Sequence, residues 1–256
     1  MQRYLNKIIQ GDCLEVMQGI PDKSIDMILC DLPYGTTACK WDTVIPFEPL
    51  WAQYKRIIKD NGAIVLTASQ PFTSLLITSN FGMFKYCWVW KKSCGAGFLN
   101  AKNAPIKMHE DICVFSKGTT ANCSTHNMIY NPQGTKQVQR YRNRTGEHSE
   151  AVGNRPCRSK GYTQTTANYP TTVIDFPNDR GMVHDTQKPV ALFEYLIRTY
   201  TNEGDTVLDN CIGSGTTAIA ALNTGRFFIG IEREETYINI ARKRIYEAQA
   251  QQSLQI

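Results

Sequence analysis

The sequence has no run of about 18 consecutive apolar residues, so nothing in it predicts a membrane-spanning helix. Its first residues lack the apolar segment of a secretory signal, and we expect a cytoplasmic protein. It has no Cys-x-x-Cys pair, and its 9 cysteines are scattered through apolar runs, which is typical of buried reduced thiols rather than of a disulfide scaffold. Cys123 and His126 have ligand-like spacing, but a single pair does not predict a zinc site, and no metal is expected.

What the sequence does contain is an ordinary globular composition, 42% hydrophobic and 20% charged, with a net charge of +5. Residues 129–160 hold seven basic and two acidic residues, so this segment alone accounts for the whole excess of positive charge. Its basic residues are Lys136, Arg140, Arg142, Arg144, Arg155, Arg158 and Lys160. By itself such a segment is either a solvated loop or a surface for phosphates, and only the neighbouring motifs can decide between the two.

Short apolar runs alternate with helical or loop segments along most of the chain, which predicts an α/β fold. Because the runs are continuous rather than alternating, we expect a mostly parallel sheet covered by helices on both faces. Helical periodicity is clearest at 190–201, 216–224 and 237–251. The predicted strands are 7–10, 25–30, 63–67, 86–90, 112–115, 206–209 and 227–231. Residues 117–178 lack apolar periodicity and contain the basic cluster, so we interpret them as a functional insertion.

A glycine turn joins a strand ending at Asp209 to a helix beginning near Thr216. Gly213 and Gly215 permit a tight turn and a close approach of the backbone to a ligand at the helix N-terminus. Glu232 ends the next strand, where a carboxylate can accept hydrogen bonds from ribose hydroxyls. These features favour a cofactor that contains adenosine, and a glycine turn without a ligand is the alternative.

Two other nucleotide sites are excluded by what surrounds the glycine turn. A nicotinamide or flavin dehydrogenase needs a second βαβ half, but only one further helix follows Glu232. A Walker loop needs Gly-Lys-Ser/Thr, which does not follow the turn.

The stretch Asp31-Leu32-Pro33-Tyr34 directly follows a predicted strand, where α/β sheets bind ligands. A base amine is a poor nucleophile because its lone pair is delocalised into the ring, so it needs acceptors for its hydrogens. The Asp31 carboxylate and a backbone carbonyl of the Pro33 turn can supply two acceptors. Tyr34 can stack on a base that has left its duplex. Alone, however, the four residues would be an ordinary turn.

Taken together, these stretches resemble the β-class DNA amino-methyltransferases, which use S-adenosyl-L-methionine (AdoMet). Residues 31–34 resemble their Asp-Pro-Pro-Tyr motif, and residues 213–217 resemble their AdoMet loop. Residues 184–189 and 10–13 resemble two further cofactor segments, and 109–112 a strand-leading segment. The order is that of the permuted class: catalytic loop, insertion, AdoMet loop. The resemblance covers nearly the whole chain except the insertion.

The resemblance implies a Rossmann-like seven-stranded sheet, permuted, with the methyltransferase domain at 1–116 and 179–256 and a target-recognition insertion at 117–178. It implies transfer to adenine N6 in duplex DNA without a covalent intermediate or a metal. The implied catalytic residues are Asp31, Pro33 and Tyr34. The implied cofactor-binding residues are Asp12, Asp31, Lys188, Asp209, Gly213, Gly215, Thr216 and Glu232. The basic residues of 129–160 are then expected to bind DNA, with a second copy of the chain and a companion restriction endonuclease as further candidate partners.

Three departures from the family pattern and several alternatives remain. Leu32 replaces a proline, and Asn210 and Cys211 replace Pro-Phe, which alters packing at the cofactor. An Asp rather than a Ser at position 31 favours adenine over the 4-amino group of cytosine. An RNA amino-methyltransferase and an inactive AdoMet-binding regulator of DNA are the other hypotheses. Cys157 lies on the wrong side of the motif order for a cytosine C5 nucleophile.

Overall fold

The computed structural model describes residues 1–37, 39, 42–143, 161–178 and 187–253. The strands in this part of the chain are β1 (Lys7–Gln10), β2 (Ile25–Asp31), β3 (Ile58–Ala68), β4 (Phe84–Ala96), β5 (Lys107–Phe115), β6 (Lys136–Asn143), β7 (Gly161–Ala167), β8 (Val173–Asp175), β9 (Thr206–Asp209) and β10 (Phe227–Glu232). The helices are α1 (Cys13–Gln18), α2 (Phe47–Ile57), α3 (Phe72–Ser79), α4 (Val190–Tyr200), α5 (Thr216–Asn223) and α6 (Glu235–Ser253), with a short 3₁₀ helix at Phe98–Asn100. Each of the predicted strands and helices is confirmed.

Within the described residues, eight strands form one sheet in the order β1-β10-β9-β2-β3-β5-β4-β8. All of them run in one direction except β5, which is antiparallel to both of its neighbours. The predicted α/β class and mostly parallel sheet are confirmed, but the predicted count of seven strands is one too low. The additional strand is β8, which pairs with β4 through residues 173–175. It is three residues long and buries only Ile174, so its apolar pattern is too short to be recognised.

Helices cover both faces of the sheet, as predicted. Ile28 and Cys30 of β2 belong to a core that includes residues of α1, α2 and α3. Met27 and Leu29 of the same strand belong to a second core, which includes residues of α4 and α5. Alternate residues of a strand point to opposite faces, so a strand that is apolar throughout is buried on both sides.

The first strand of the chain lies beside the last. β1 pairs in parallel with β10 from Lys7 opposite Ile229 to Gln10 opposite Glu232, and α6 contacts both strands. This placement agrees with the permuted order inferred from the motifs. It also brings the end of β1 to the edge of the sheet at which β2, β9 and β10 end.

The chain folds as two compact units, one formed by Met1–Asn131 with Thr172–Ile256 and the other by Pro132–Thr171. The predicted insertion, 117–178, is wider than the second unit. Within that unit β6 and β7 form an antiparallel hairpin where the sequence showed no regular periodicity. Because most side chains of both strands are exposed or only half-buried, the hairpin has no apolar face that a sequence pattern could reveal.

The described cysteines are not uniformly buried, which differs from the prediction. Cys30 and Cys113 lie in the core, whereas Cys39, Cys94 and Cys123 are exposed. No helix among the described residues is long and apolar enough to cross a membrane.

Candidate active site

A cavity of about 310 Å³ opens at the edge of the sheet where β2, β9 and β10 end. The carboxyl ends of parallel strands are the usual ligand site of α/β folds. Eight of the residues named from the sequence line this one cavity: Asp12, Asp31, Pro33, Lys188, Asp209, Gly213, Thr216 and Glu232. These eight residues, which lie up to 220 positions apart in sequence, therefore meet at a single site, whereas Tyr34 and Gly215 were also named from the sequence but do not line the cavity.

The glycine turn forms one wall of the cavity. Gly213 and Gly215 both have left-handed backbones, with φ of 49° and 87°. A Cβ atom on Gly215 would lie 2.9 Å from the Cβ of Ala241 in α6, which explains why a side chain is excluded there. Helix α5 begins at Thr216, directly after the turn, so the N–H groups of its first turn are close to the cavity.

Glu232 is held at the end of β10 by backbone donors. Its Oε2 accepts a hydrogen bond of 2.9 Å from the Gly213 N–H, and its Oε1 accepts from the N–H groups of Arg233 at 2.8 Å and Glu234 at 3.0 Å. A carboxylate has about four lone-pair sites, so an acceptor site remains for a ligand hydroxyl. Asp12 lies between β1, which pairs with β10, and α1. Its Oδ1 caps α1 by accepting a hydrogen bond of 2.8 Å from the Leu14 N–H.

Asp209 is buried, and its carboxylate stabilises the glycine loop. Its Oδ1 accepts from the Cys211 N–H at 3.0 Å, and its Oδ2 accepts from the Thr217 hydroxyl. Burial raises the pKa of Asp209 to about 6. Asn210, one of the departures from the family pattern, accepts a hydrogen bond from the buried Tyr54 hydroxyl, while Cys211 lines the cavity.

Asp31 lines the same cavity at the end of β2, the strand beside β9, and its carboxylate has three donors. The hydroxyls of Tyr34, at 2.7 Å, and Thr67 both contact Oδ1. The Lys188 ammonium donates to Oδ2 at 2.7 Å. Pro33 lines the cavity next to Asp31, so the turn and the carboxylate face the same space. Thr67, at the end of β3, was not identified from the sequence.

Lys188 is itself part of a larger buried ion-pair network. Its Nζ lies 3.3 Å from Oε2 of Glu110, whose Oε1 in turn accepts from Lys92. The side chains of Lys188 and Glu110 are 8% and 11% exposed. Burial alone would lower the pKa of Lys188, but the carboxylates of Asp31 and Glu110 outweigh burial and raise it, so the ammonium stays charged.

Glu110 and Lys92 were missed as site residues. The segment 109–112 was interpreted as leading into a strand, whereas it lies inside β5. Glu110 reaches Lys188 only because β5 runs antiparallel beside β3 in the sheet. The charges of Lys92 and Glu110 were visible in the sequence, but the pairing itself was not.

The Tyr34 ring lies beside the ring of Phe72, with centroids 5.0 Å apart and planes at 26°. Its hydroxyl is 2.7 Å from Asp31, and the Lys188 ammonium lies 5.8 Å from its ring centroid. Burial raises the pKa of Tyr34 well above its usual value, and the Asp31 charge adds to this effect. Tyr34 therefore remains a neutral hydroxyl that can donate to Asp31.

The loop after Tyr34 is shaped by a second carboxylate that the sequence did not reveal. Asp42 accepts from the N–H groups of Gly35 at 2.8 Å, Thr36 at 2.9 Å and Thr37 at 2.7 Å. Burial alone would raise the pKa of Asp42, but these hydrogen bonds outweigh burial and lower it. Three backbone donors on one carboxylate fix the path of the chain directly after Tyr34.

Three of the predicted DNA-binding residues can be placed. Lys136, Arg140 and Arg142 lie on β6, and Arg140 and Arg142 are opposite Gln164 and Tyr162 of β7. Residues two apart on a strand share a face, so both guanidinium groups lie on one side of the hairpin. Arg144, Arg155, Arg158 and Lys160 lie outside the described residues.

Comparison with known proteins agrees with this geometry. The model of a DNA methylase family matches residues 25–243. The DNA adenine methyltransferase YhdJ of Escherichia coli K12 is 31% identical over 93% of this chain and 82% of its own length. The solved structure of the M1.HpyAVI–SAM complex is 25% identical with a TM-score of 0.59, over 93% of this chain and 98% of that one. The cytosine-N4-specific PvuII DNA methyltransferase shares the fold, at 14% identity and a TM-score of 0.64, over 94% of this chain and 90% of that one. The chain belongs to the DNA methylase family.

Proposed function

We propose that this protein transfers a methyl group from AdoMet to the N6 amine of adenine in duplex DNA. The observation that carries the proposal is that Asp31 and Pro33 line the same cavity as the glycine turn. Acceptors for an amine thus lie beside a loop suited to an adenosine cofactor. The acid at position 31 favours adenine over cytosine as the target base. The E. coli relative is a DNA adenine methyltransferase, which supports the same choice.

The residues present fit AdoMet. The volume of about 310 Å³ lies within the usual range of ligand pockets. The left-handed turn at Gly213 and Gly215 permits close contact between backbone and ligand, and Glu232 and Asp12 supply acceptors for its hydroxyl and amino groups. When bound, AdoMet would supply an electrophilic methyl group, its sulfur would leave as a neutral thioether with the electrons of the broken S–C bond, and the methylated nitrogen would release one proton to solvent.

The chain's own contribution is to hold and polarise the target amine. Asp31 and a backbone carbonyl of the Pro33 turn each accept a hydrogen bond from the amine. This geometry favours a pyramidal nitrogen with an available lone pair. Tyr34, Thr67 and Lys188 already donate to Asp31, and in this proposal the amine takes over an acceptor site on Oδ1 that one donor leaves. We assign the exchange to Tyr34, since its ring is then released to stack on the flipped base. Positioning of the nitrogen supplies much of the rate.

Lys188 and Glu110 keep Asp31 in place during this exchange. A carboxylate that loses one donor keeps its orientation when a buried ammonium holds its other oxygen, and Glu110 in turn holds the ammonium. The charges of Asp31, Lys188, Glu110 and Lys92 cancel. The network therefore does not oppose the positive charge that the amine acquires as the methyl group arrives.

Duplex DNA is the proposed substrate, with target recognition assigned to the insertion at 117–178. Arg140 and Arg142 on one side of the β6–β7 hairpin suit contacts to phosphates and guanine edges. A homodimer and a companion restriction endonuclease stay predictions from the sequence.

The test is incubation of the protein with unmethylated genomic DNA and labelled AdoMet, followed by nucleoside analysis and modified-base sequencing. We expect N6-methyladenine at one sequence motif, absent when Asp31 is replaced by Ala. N4-methylcytosine would replace the adenine assignment by its cytosine alternative. Label in RNA but not in duplex DNA would select an RNA enzyme, and cofactor binding without transfer would select an inactive regulator.

A further inference from the structure

The turn between β4 and β5, residues 97–106, exposes large apolar side chains on a DNA methylase. We call it the β4–β5 tip. Leu99 is 101% exposed and Phe98 is 66% exposed, side by side in the short 3₁₀ helix. Every residue from 96 to 109 is exposed. Adjacent exposed side chains of this size mark a surface that another molecule covers.

The tip lies at the same edge of the sheet as the active site. β5 is antiparallel to the other strands, so it starts at the edge where β2 ends at Asp31. Glu110 of β5 belongs to the ion-pair network around Asp31, and Lys107 at the start of β5 is three residues earlier, about 10 Å along the strand. Phe98 and Leu99 follow the end of β4 at this same edge, beyond the start of β5.

The surroundings of the tip are apolar and basic. Ile106 and Met108 are partly exposed and lie over the backbone of Gly95, where they continue the apolar surface of the tip. Between residues 91 and 109 the chain has four lysines and no acidic residue, and Lys102 and Lys107 are exposed on the tip and at its base. The lysines suit the phosphates of duplex DNA, and the apolar side chains suit the stacked bases in its interior.

We infer that the β4–β5 tip is a wedge that enters the base stack of the target duplex and fills the space left by the flipped adenine. Phe and Leu are among the side chains that separate stacked bases, and the basic residues around them hold the phosphates. A filled gap slows the return of the base to the duplex, so the flipped state lives longer beside Asp31. This inference rests on the proposed function.

The experiment compares two synthetic duplexes that contain the target motif identified by modified-base sequencing. In one the target adenine is paired with thymine, and in the other it faces an abasic site, where opening costs less. For Leu99→Ala and Phe98→Ala we expect single-turnover methylation of the paired duplex to slow by about tenfold or more. On the abasic duplex both variants should approach the wild-type rate, and Leu99→Met should behave like wild type on both.

The matched control is Phe81→Ala. Phe81 is 73% exposed, but it precedes β4 and so lies at the opposite edge of the sheet from the active site. It should methylate both duplexes at the wild-type rate, and all variants should keep the wild-type AdoMet affinity and melting temperature. Wild-type rates for Leu99→Ala and Phe98→Ala on the paired duplex, or equal losses on both duplexes, would overturn the wedge alone. A wild-type chain inactive on every duplex would overturn the proposed function, and the wedge with it.

Discussion

The two parts of the proposed site are built by different means. We call them the cofactor wall, proposed at Gly213, Gly215 and Glu232, and the catalytic wall, proposed at Asp31, Tyr34 and Lys188. On the cofactor wall, Gly213 and Gly215 are placed by their left-handed backbones, and Glu232 is held by backbone N–H groups rather than by an ion pair. On the catalytic wall, Asp31 is held by side chains from three other segments, through Thr67 and Lys188 and then Glu110. The comparison teaches that the cofactor wall depends on shape, whereas the catalytic wall depends on charge balance.

The largest expected effect lies at the centre of the catalytic wall. Asp31→Asn keeps the size of the side chain but loses the charge and one acceptor, so the rate of methyl transfer should fall by about 10²–10³. Single-turnover kinetics with saturating AdoMet would measure it. If the variant transfers methyl groups at the wild-type rate, Asp31 has no role in the mechanism, and the proposed difference between the catalytic wall and the cofactor wall is wrong.

The cofactor wall should respond to shape instead. In Gly215→Ala the new Cβ meets Ala241 and the backbone has a φ of 87°, so we expect at least about tenfold weaker AdoMet binding and a destabilisation of about 1–3 kcal/mol. Calorimetric titration and thermal melting would measure the two effects. Gly204→Ala is the control, because its φ of 81° is similar but nothing lies within 4 Å of the added Cβ. If both variants bind AdoMet equally, the close packing of the turn is irrelevant to the cofactor.

A smaller loss is expected from Glu110→Gln, which tests charge balance without touching Asp31. With Glu110 neutral, the network has a net positive charge beside an amine that becomes cationic, so kcat should fall about tenfold while KM for AdoMet stays unchanged. Asp111→Asn is the matched control, since the adjacent Asp111 contacts Thr73 rather than Lys188. An equal effect of both variants, or a rise in KM alone, would contradict a role for Glu110 in positioning Asp31.

The smallest effect concerns the stability of the catalytic loop. The pKa of Asp42 is lower in the folded chain than in the unfolded one, so its contribution is present above the unfolded pKa of about 3.9 and is lost as pH falls through the folded value. Asp42→Asn should therefore cost about 1 kcal/mol at neutral pH and progressively less in acid. Melting curves from pH 3 to 7 would show it. An exposed carboxylate such as Asp22, replaced by Asn, should produce a smaller change, and a constant difference across this pH range would contradict the assignment.

Local patterns predicted much of the fold and part of the site. Strands such as 25–30 and 206–209 were recognised because they are apolar throughout, and the glycine turn because only glycine adopts its left-handed conformation without strain. β8 and the β6–β7 hairpin were not recognised, because they are short or exposed and their stability comes from pairing. Asp42 and Glu110 were missed for a related reason. The partners of Asp42 depend on how the loop after Tyr34 folds back, and the contact of Glu110 with Lys188 depends on the direction of β5.

The sequence by itself determined the class of fold and the motif order, and it predicted eight of the residues that line the cavity, from Asp12 to Glu232. These follow from residue types at fixed local spacing, which decide backbone conformation and chemistry within a few residues. Only the tertiary structure decided that Lys188 binds Asp31, that Glu110 and Lys92 complete the charge balance, and that the β4–β5 tip lies at the same edge of the sheet as the site. Those contacts join segments far apart in sequence, and their existence depends on how strands are ordered and directed in the sheet.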